Sequence, residues 1–164
     1  MSQATNLIHL ETTFVIDAAD QTDAFAQVSE KLLGLGLVTD DFFRAITTRE
    51  QSFPTGMDMS VVDAAMPNFA IPHTDPEYVC TTRVVPVKLV SPVRWASITD
   101  ASAQLEVAFL FMILNGDGSA QTHILAQIID TVNTLGPDAA RELFALTDPT
   151  ELYNALAPHF TQEA

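Results

Sequence analysis

One segment constrains the fold more than any other: residues 104–114, which read QLEVAFLFMIL. From position 107 onward every residue in this segment is apolar, and the run ends at the turn-forming sequence Asn115-Gly116-Asp117-Gly118. A strand with one wet face alternates polar and apolar residues, whereas a strand covered on both faces is apolar nearly throughout. The run is also far too short to cross a bilayer. It therefore predicts a buried strand in a sheet that is covered on both sides.

Segments with helical spacing are available to provide that cover. The first has Asp20 as a candidate N-cap, followed by Phe25, Val28, Leu32 and Leu33 at helical spacing. The pair Gly136-Pro137 is expected to end a later helix, and Asp148 is a candidate N-cap for the last one. The predicted helices span residues 20–33, 39–50, 119–135, 138–146 and 149–156. Helices packed on a hydrophobic sheet predict an α/β layered sandwich, a single domain over residues 1–164.

Shorter strands complete the predicted sheet. Residues 8–16 are extended in character, and residues 69–71 form a short strand that must stop at Pro72, because proline cannot donate to a ladder. Residues 81–90 are rich in β-branched side chains and predict a buried strand, and residues 92–96 predict a separate edge strand. Residues 57–68 show little periodicity and are expected to form an irregular connection.

The charge balance excludes several classes of function. The chain has 21 acidic and 7 basic residues, for a formal charge of −14. Binding to nucleic acid or to an anionic membrane requires clustered lysine and arginine, so neither is indicated. A basic protein partner would complement this charge, although solubility alone also accounts for it. The single cysteine, Cys80, excludes an internal disulfide, and the first residues lack a secretory signal, which predicts a cytoplasmic protein.

Three residues could carry chemistry. His73 follows Pro72 at the end of a short strand, where a neutral imidazole would be available as a nucleophile, although a solvated loop histidine fits the same position. His123 lies in the first turns of a helix after a glycine-rich turn, where free N–H groups attract anions. Arg49 has the planar, permanently charged group that suits phosphate, and it could equally pair with Glu50. No Walker-type loop or helical metal-binding pair is present, so neither cofactor nor metal is expected.

These residues occur within a pattern that resembles a known family. The pattern reads Arg49-Glu50, then Pro54-Thr55-Gly56, then Ala70-Ile71-Pro72-His73, with His123 behind an apolar strand. It resembles the IIA domains of the sugar phosphotransferase system, fructose/mannitol class, over residues 8–155. Phe53-Pro54-Thr55-Gly56 and the long spacer before Ala70 are most similar to the galactitol-type branch. The family fold is a central mixed β-sheet with helices on both faces, which agrees with the pattern of elements above.

The resemblance implies a specific chemistry. His73 would accept a phosphoryl group from phospho-HPr and pass it to a IIB component during sugar uptake, with Arg49 and His123 stabilising the transferred group. Thr55 and Thr74 would add hydrogen bonds to the phosphate, although Thr74 departs from the small residue usual after the histidine. Two alternatives remain open: a regulatory protein of the nitrogen-related branch, and a binding module that has kept the fold without phosphotransfer.

Overall fold

The computed structural model describes residues 4–116 and 121–163, and its centre is a mixed five-stranded sheet. In spatial order the sheet runs β2-β5-β6-β4-β3. A separate antiparallel pair, β1-β7, joins the two ends of the described chain. The strands are β1 (Ala4–Asn6), β2 (Phe14–Ile16), β3 (Gly56–Met57), β4 (Phe69–Ala70), β5 (Thr82–Ala96), β6 (Gln104–Asn115) and β7 (Thr161–Glu163).

The apolar run forms β6, in the middle of the sheet. It pairs antiparallel with β5 on one side and parallel with β4 on the other. Leu110 and Met112 pack into one core cluster, and Phe109, Phe111 and Ile113 pack into the other. The prediction of a strand covered on both faces is confirmed, and the fold is the α/β sandwich expected from the sequence.

Two helices cover each face. On one side, α1 (Gln21–Gly34) begins at Asp20, whose carboxylate accepts a hydrogen bond of 2.8 Å from the Asp23 N–H, and α2 (Phe42–Ser52) packs beside it. On the other side lie α3 (Gln121–Phe144) and α4 (Pro149–Leu156), the latter capped by Asp148 as predicted. Within the described residues, no helix is long and apolar enough to cross a membrane.

The break predicted at Gly136-Pro137 is confirmed as an interruption of α3. Gly136 has φ 78°, in the left-handed region that favours glycine, and Pro137 restarts the helix in a new direction. The predicted turn at Asp117-Gly118 and the predicted start of this helix at residue 119 lie outside the described residues.

Two predictions about strands are wrong. Residues 82–96 form one continuous strand, β5, with a register shift between Lys88 and Val93, instead of a buried strand followed by an edge strand. Pro92 is tolerated there because β2 pairs only with residues 87–89, so β2 has no acceptor that requires a backbone N–H at position 92. The N-terminal segment is not a single strand either, since a 3₁₀ turn at Leu10–Thr12 separates β1 from β2.

Candidate active site

The sheet places His73 at the carboxyl ends of two neighbouring parallel strands. Ala70 of β4 pairs with Leu110 of β6, and the chain continues through Pro72 to a bridge between His73 and Ile113. The Ile113 N–H donates to the Pro72 carbonyl at 3.0 Å, so the backbone on both sides of the imidazole is held by the sheet. In open α/β sheets this edge is where ligands bind.

The imidazole of His73 has one nitrogen fixed by the backbone. Its Nδ1 lies 2.9 Å from the carbonyl oxygen of Ile71. A carbonyl only accepts hydrogen bonds, so Nδ1 carries the proton and Nε2 of the neutral ring keeps its lone pair. Burial lowers the pKa of His73 below its ordinary value of 6.5, and the Arg49 guanidinium lowers it further; the Ile71 carbonyl and the Asp75 carboxylate act in the opposite direction. His73 is therefore a neutral base at pH 7, with Nε2 as its nucleophilic atom.

Arg49 reaches this edge from the last turn of α2. Its Nη1 lies 3.3 Å from an Asp75 carboxylate oxygen, and its guanidinium sits 5.4 Å from the centre of the Phe53 ring. Its Nε is buried, and none of the described residues offers it a hydrogen-bond partner. One long ion-pair contact and one unused donor leave most of the guanidinium fork free to bind an anion.

An open cavity of about 430 Å³ adjoins the guanidinium. Its lining includes Arg49, Thr74, Asp75 and a second arginine, Arg44, together with Thr48 and Tyr78. Through this cavity, solvent or a group carried by a partner can reach Thr74 and Asp75, in the loop that follows His73.

A buried carboxylate fixes the backbone behind the imidazole. Glu50 is 4% exposed and accepts hydrogen bonds from the Thr55 N–H at 2.5 Å and from the Thr55 hydroxyl at 2.7 Å. The Thr55 carbonyl accepts from the Ile71 N–H at 3.2 Å, and the Ile71 carbonyl in turn accepts from His73. This chain of hydrogen bonds links the end of α2 to the tautomer of His73. Burial raises the pKa of Glu50 above 4.5, and Thr55 and the indole of Trp95 partly offset the rise.

Sequence reasoning missed this role for Glu50, which it treated only as a partner for Arg49. Consecutive residues of a helix do not face each other, so Arg49 turns toward solvent and Asp75 while Glu50 turns into the core. The Arg-Glu pair by itself does not reveal this, because two adjacent charges of a helix can both face solvent, as Glu30 and Lys31 do in α1.

The two threonines have other partners in this structure. Both are buried; Thr55 donates its hydroxyl proton to Glu50, and Thr74 donates to the Asp75 carbonyl at 3.0 Å. Their binding of phosphate stays a prediction.

His123 is held less firmly than His73 and Arg49. It is exposed in the first turn of α3, and no hydrogen bond from its ring is found among the described residues. Its neighbour Ile124 packs in the same core cluster as Ile71 and Ile113, which flank His73 on β4 and β6. A shared core cluster does not bring His123 to the site, and the described residues show no contact between His123 and either His73 or Arg49.

The described residues contain no group of three or more His, Cys, Asp or Glu side chains arranged to hold a metal ion. The fold and its sheet edge thus define an α/β domain with a neutral histidine and a partly free arginine at the ends of two parallel strands. Residues 6–158 match the family model described as "Phosphoenolpyruvate-dependent sugar phosphotransferase system, EIIA 2". The chain belongs to this family, whose members are phosphotransferase components.

Solved structures agree with that assignment at the level of the fold. The mannitol IIA of Escherichia coli superposes with a TM-score of 0.70 at 21% identity, over 92% of this chain and 99% of that one. The complex of mannitol IIA with phosphorylated IIB from the same organism gives 0.71 at 20% identity, over 92% and 97%. The nitrogen regulatory protein IIA-Ntr of Neisseria meningitidis gives 0.63 at 15% identity, over 92% and 96%. No curated protein sequence matches this chain significantly.

Proposed function

We propose that this chain is a phosphocarrier, a single IIA domain that accepts a phosphoryl group from phospho-HPr on Nε2 of His73 and passes it to a IIB component. The observation that carries the proposal is the hydrogen bond from His73 Nδ1 to the Ile71 carbonyl, which leaves Nε2 unprotonated and facing away from the strand. Membership of the EIIA 2 family and the likeness to a IIA solved with its phosphorylated IIB partner support it.

The transfer needs no proton movement at His73. The bond between phosphorus and the donor nitrogen breaks as the bond to Nε2 forms, and the donor nitrogen keeps the electron pair of the broken bond. The proton stays on Nδ1, which donates it to the Ile71 carbonyl throughout. Such transfers pass through a loose, roughly in-line transition state, so catalysis consists of positioning and stabilisation of charge on the phosphoryl oxygens.

Arg49 is the residue best placed to supply that stabilisation. In the free protein its one ion pair within the described residues is a 3.3 Å contact with Asp75, whose side chain is 63% exposed. An exposed ion pair of this kind is worth about 0–1 kcal/mol, so a phosphoryl dianion on His73 would compete well for the guanidinium. His123, from the first turn of α3, would complete the ring of donors around the phosphoryl oxygens.

Phosphorylation with purified components tests the proposal. We expect incubation with phosphoenolpyruvate, enzyme I and HPr to add one phosphoryl group, seen by mass spectrometry as an acid-labile adduct. The His73→Ala variant should gain none, whereas His159→Ala, a control at an exposed histidine, should gain one. A correctly folded wild-type chain that stays unmodified, or a His73→Ala variant that still gains the group, would contradict the proposal.

The role in transport has a separate test. The spacer before Ala70 is most similar to the galactitol-type branch, so we expect the phosphorylated chain to lose its phosphoryl group to a galactitol-type IIB domain faster than to a mannitol-type one. Transfer to neither acceptor, from a chain that HPr phosphorylates normally, would favour the regulatory alternative.

A further inference from the structure

An exposed aromatic ring lies beside the arginine of the candidate site. Phe53 directly follows α2, four positions after Arg49, and it is 64% exposed. It belongs to neither core cluster. The central carbon of the Arg49 guanidinium lies over the Phe53 ring, 5.4 Å from its centre, and both side chains line the cavity of about 430 Å³. The contact with Arg49 is therefore the feature of this ring that needs an explanation, since packing in the core does not account for it.

The backbone of Phe53 is fixed by its neighbours in the chain. Its N–H donates to the Arg49 carbonyl at 2.7 Å, so the last hydrogen bond of the helix joins the two residues. Pro54 follows, and the residue before a proline is kept out of the helical conformation. Phe53 has φ −134° and ψ 80°, in agreement with that restriction. The ring therefore starts from a fixed point beside the turn that carries Arg49.

The two contacts of the guanidinium use different parts of the group. Asp75 accepts at Nη1, an N–H donor at the edge of the plane, whereas the Phe53 ring is contacted by the central carbon, which has no donor. A guanidinium can rest on an aromatic ring and keep its N–H groups available in its own plane. The ring contact thus restrains Arg49 without occupying a donor that an anion would need.

Asp75 alone is a weak restraint on Arg49. Their contact is 3.3 Å long and the Asp75 side chain is 63% exposed, and an exposed ion pair of this kind contributes little to holding a long side chain in one place. A phosphoryl group on His73 would also compete with Asp75 for the same N–H donors. The contact with Phe53 does not compete with that group, so it can persist while the phosphoryl group is bound.

From these observations we infer that Phe53 is a positioning residue for Arg49. Its ring holds the guanidinium at the cavity while the N–H donors stay free for an anion. With an aliphatic side chain at position 53, Arg49 would sample more conformations and spend less of its time near His73. The consequence for phosphoryl transfer rests on the proposed function, whereas the effect on the His73 ring can be measured without any transfer.

An NMR titration of the His73 ring tests the inference in the free protein. Burial is the main cause of the lowered pKa of His73, and the charge of Arg49 lowers it further. Phe53→Leu should therefore move the titration midpoint upward, in the same direction as Arg49→Gln but by less, because the guanidinium is loosened and not removed. Phe53→Tyr keeps the aromatic face and should restore the wild-type midpoint. A midpoint that Phe53→Leu leaves unchanged would overturn the inference.

Two controls separate an effect through Arg49 from a direct effect of the ring. Phe43→Leu is the same substitution in α2, at a half-buried position that does not line this cavity, and it should leave the midpoint of His73 unchanged. In the Arg49→Gln background, Phe53→Leu should add no further shift, because its effect passes through the guanidinium. A full upward shift in that background would mean that the ring acts on His73 directly, contrary to the inference.

Single-turnover phosphorylation by HPr provides the functional test. Phe53→Leu should lower the maximal rate of transfer roughly two- to five-fold, the factor expected of one exposed cation–π contact, without changing the half-saturating concentration of phospho-HPr. Phe53→Tyr should recover the rate, and Phe53→Leu should have no further effect on Arg49→Ala. A raised half-saturating concentration that persists in Arg49→Ala would show that the ring contacts the protein partner instead, and would overturn the inference.

The two measurements also separate this inference from the proposed function. A wild-type chain that accepts no phosphoryl group would contradict the proposed function, and the titration of His73 would still decide the role of Phe53. Normal transfer to the wild type, together with a midpoint that Phe53→Leu does not move, would overturn the role of Phe53 alone.

Discussion

The two regions that carry the candidate site are built very differently. Helix α2, the following turn and β4 hold Arg49 and His73 through buried hydrogen bonds that run from Glu50 through Thr55 to Ile71. Within the described residues, no hydrogen bond fixes the ring of His123 in the first turn of α3, and that ring is exposed. The difference shows which groups are fixed before a phosphoryl group arrives and which can adjust to it.

Preorganisation costs stability, and the α2 region shows where. A buried carboxylate is harder to keep charged, as the raised pKa of Glu50 indicates, and this carboxylate secures a backbone that fixes the tautomer of His73. His123 is exposed, so its ring adds no comparable cost of burial to the free energy of folding. We therefore expect changes in the α2 region to act on both rate and stability, and changes at His123 to act on rate alone.

The largest effect is expected at Arg49. Arg49→Ala should slow phosphoryl transfer to His73 by about 10²-fold, since it removes the permanent charge nearest the transferred group. Arg49→Lys should restore only part of the rate, because the ammonium group lacks the planar fork. The matched control is Arg141→Ala, an exposed arginine of α3 that pairs with Asp138 at 2.8 Å. Quench-flow measurement of phosphorylation by HPr compares the three variants, and equal rates for Arg49→Ala and Arg141→Ala would remove Arg49 from the site.

The second effect is on stability, at Glu50. Glu50→Ala leaves the buried Thr55 N–H without its acceptor and should lower the free energy of unfolding by about 1–3 kcal/mol, measured by urea denaturation. The exposed control Glu142→Ala should change it by less than about 0.5 kcal/mol. Since burial raises the pKa of Glu50, its contribution to stability is full below 4.5 and is lost as pH rises through the folded-state pKa. The deficit of Glu50→Ala should therefore be larger at low pH, and a deficit that grows with pH would contradict this account.

Local signals predicted the larger parts of the fold. The unbroken apolar run of β6, the Asp20 and Asp148 caps and the Gly136-Pro137 break each act within a few residues, so the sequence displays them directly. The continuity of β5 could not be read in this way. Pro92 normally ends a strand, and whether it does so here depends on β2 stopping short of it, which is a property of the assembled sheet.

The same distinction applies to the site. Arg49, His73 and His123 could be selected because of the chemistry of their side chains and a family pattern. The hydrogen-bond and ion-pair partners of these residues could not be predicted from the sequence. Asp75 contacts Arg49, and Ile71 contacts His73, only after β4 joins β6 at the sheet edge. Glu50 was hidden for a related reason: its position in the sequence suggests a pair with Arg49, and only the direction of the helix face turns it inward.

A smaller effect is expected at His123. Because its ring is exposed and makes no hydrogen bond in the described structure, it must be ordered when the phosphoryl group arrives. We expect His123→Ala to slow transfer about 10-fold, less than Arg49→Ala, and to leave the urea midpoint unchanged. His159→Ala, at another exposed histidine, is the control and should transfer at the wild-type rate. A loss at His123 as large as that at Arg49 would show that the two regions are equally preorganised in the complex.

The smallest expected effect is a shift in the pH dependence of His73. Because burial and Arg49 lower its pKa, the transfer rate should be flat above pH 6.5 and fall only at lower pH, where protonation removes the Nε2 lone pair. The unfolded chain binds this proton first, so the same shift makes the free energy of unfolding rise with pH up to about 6.5. Arg49→Gln should move the NMR titration midpoint of the His73 ring upward, and Asp75→Asn should move it downward, because the two charges act on the ring with opposite signs. Shifts in the same direction, or a wild-type midpoint above 6.5, would mean that the ring is not buried beside Arg49 as the structure has it.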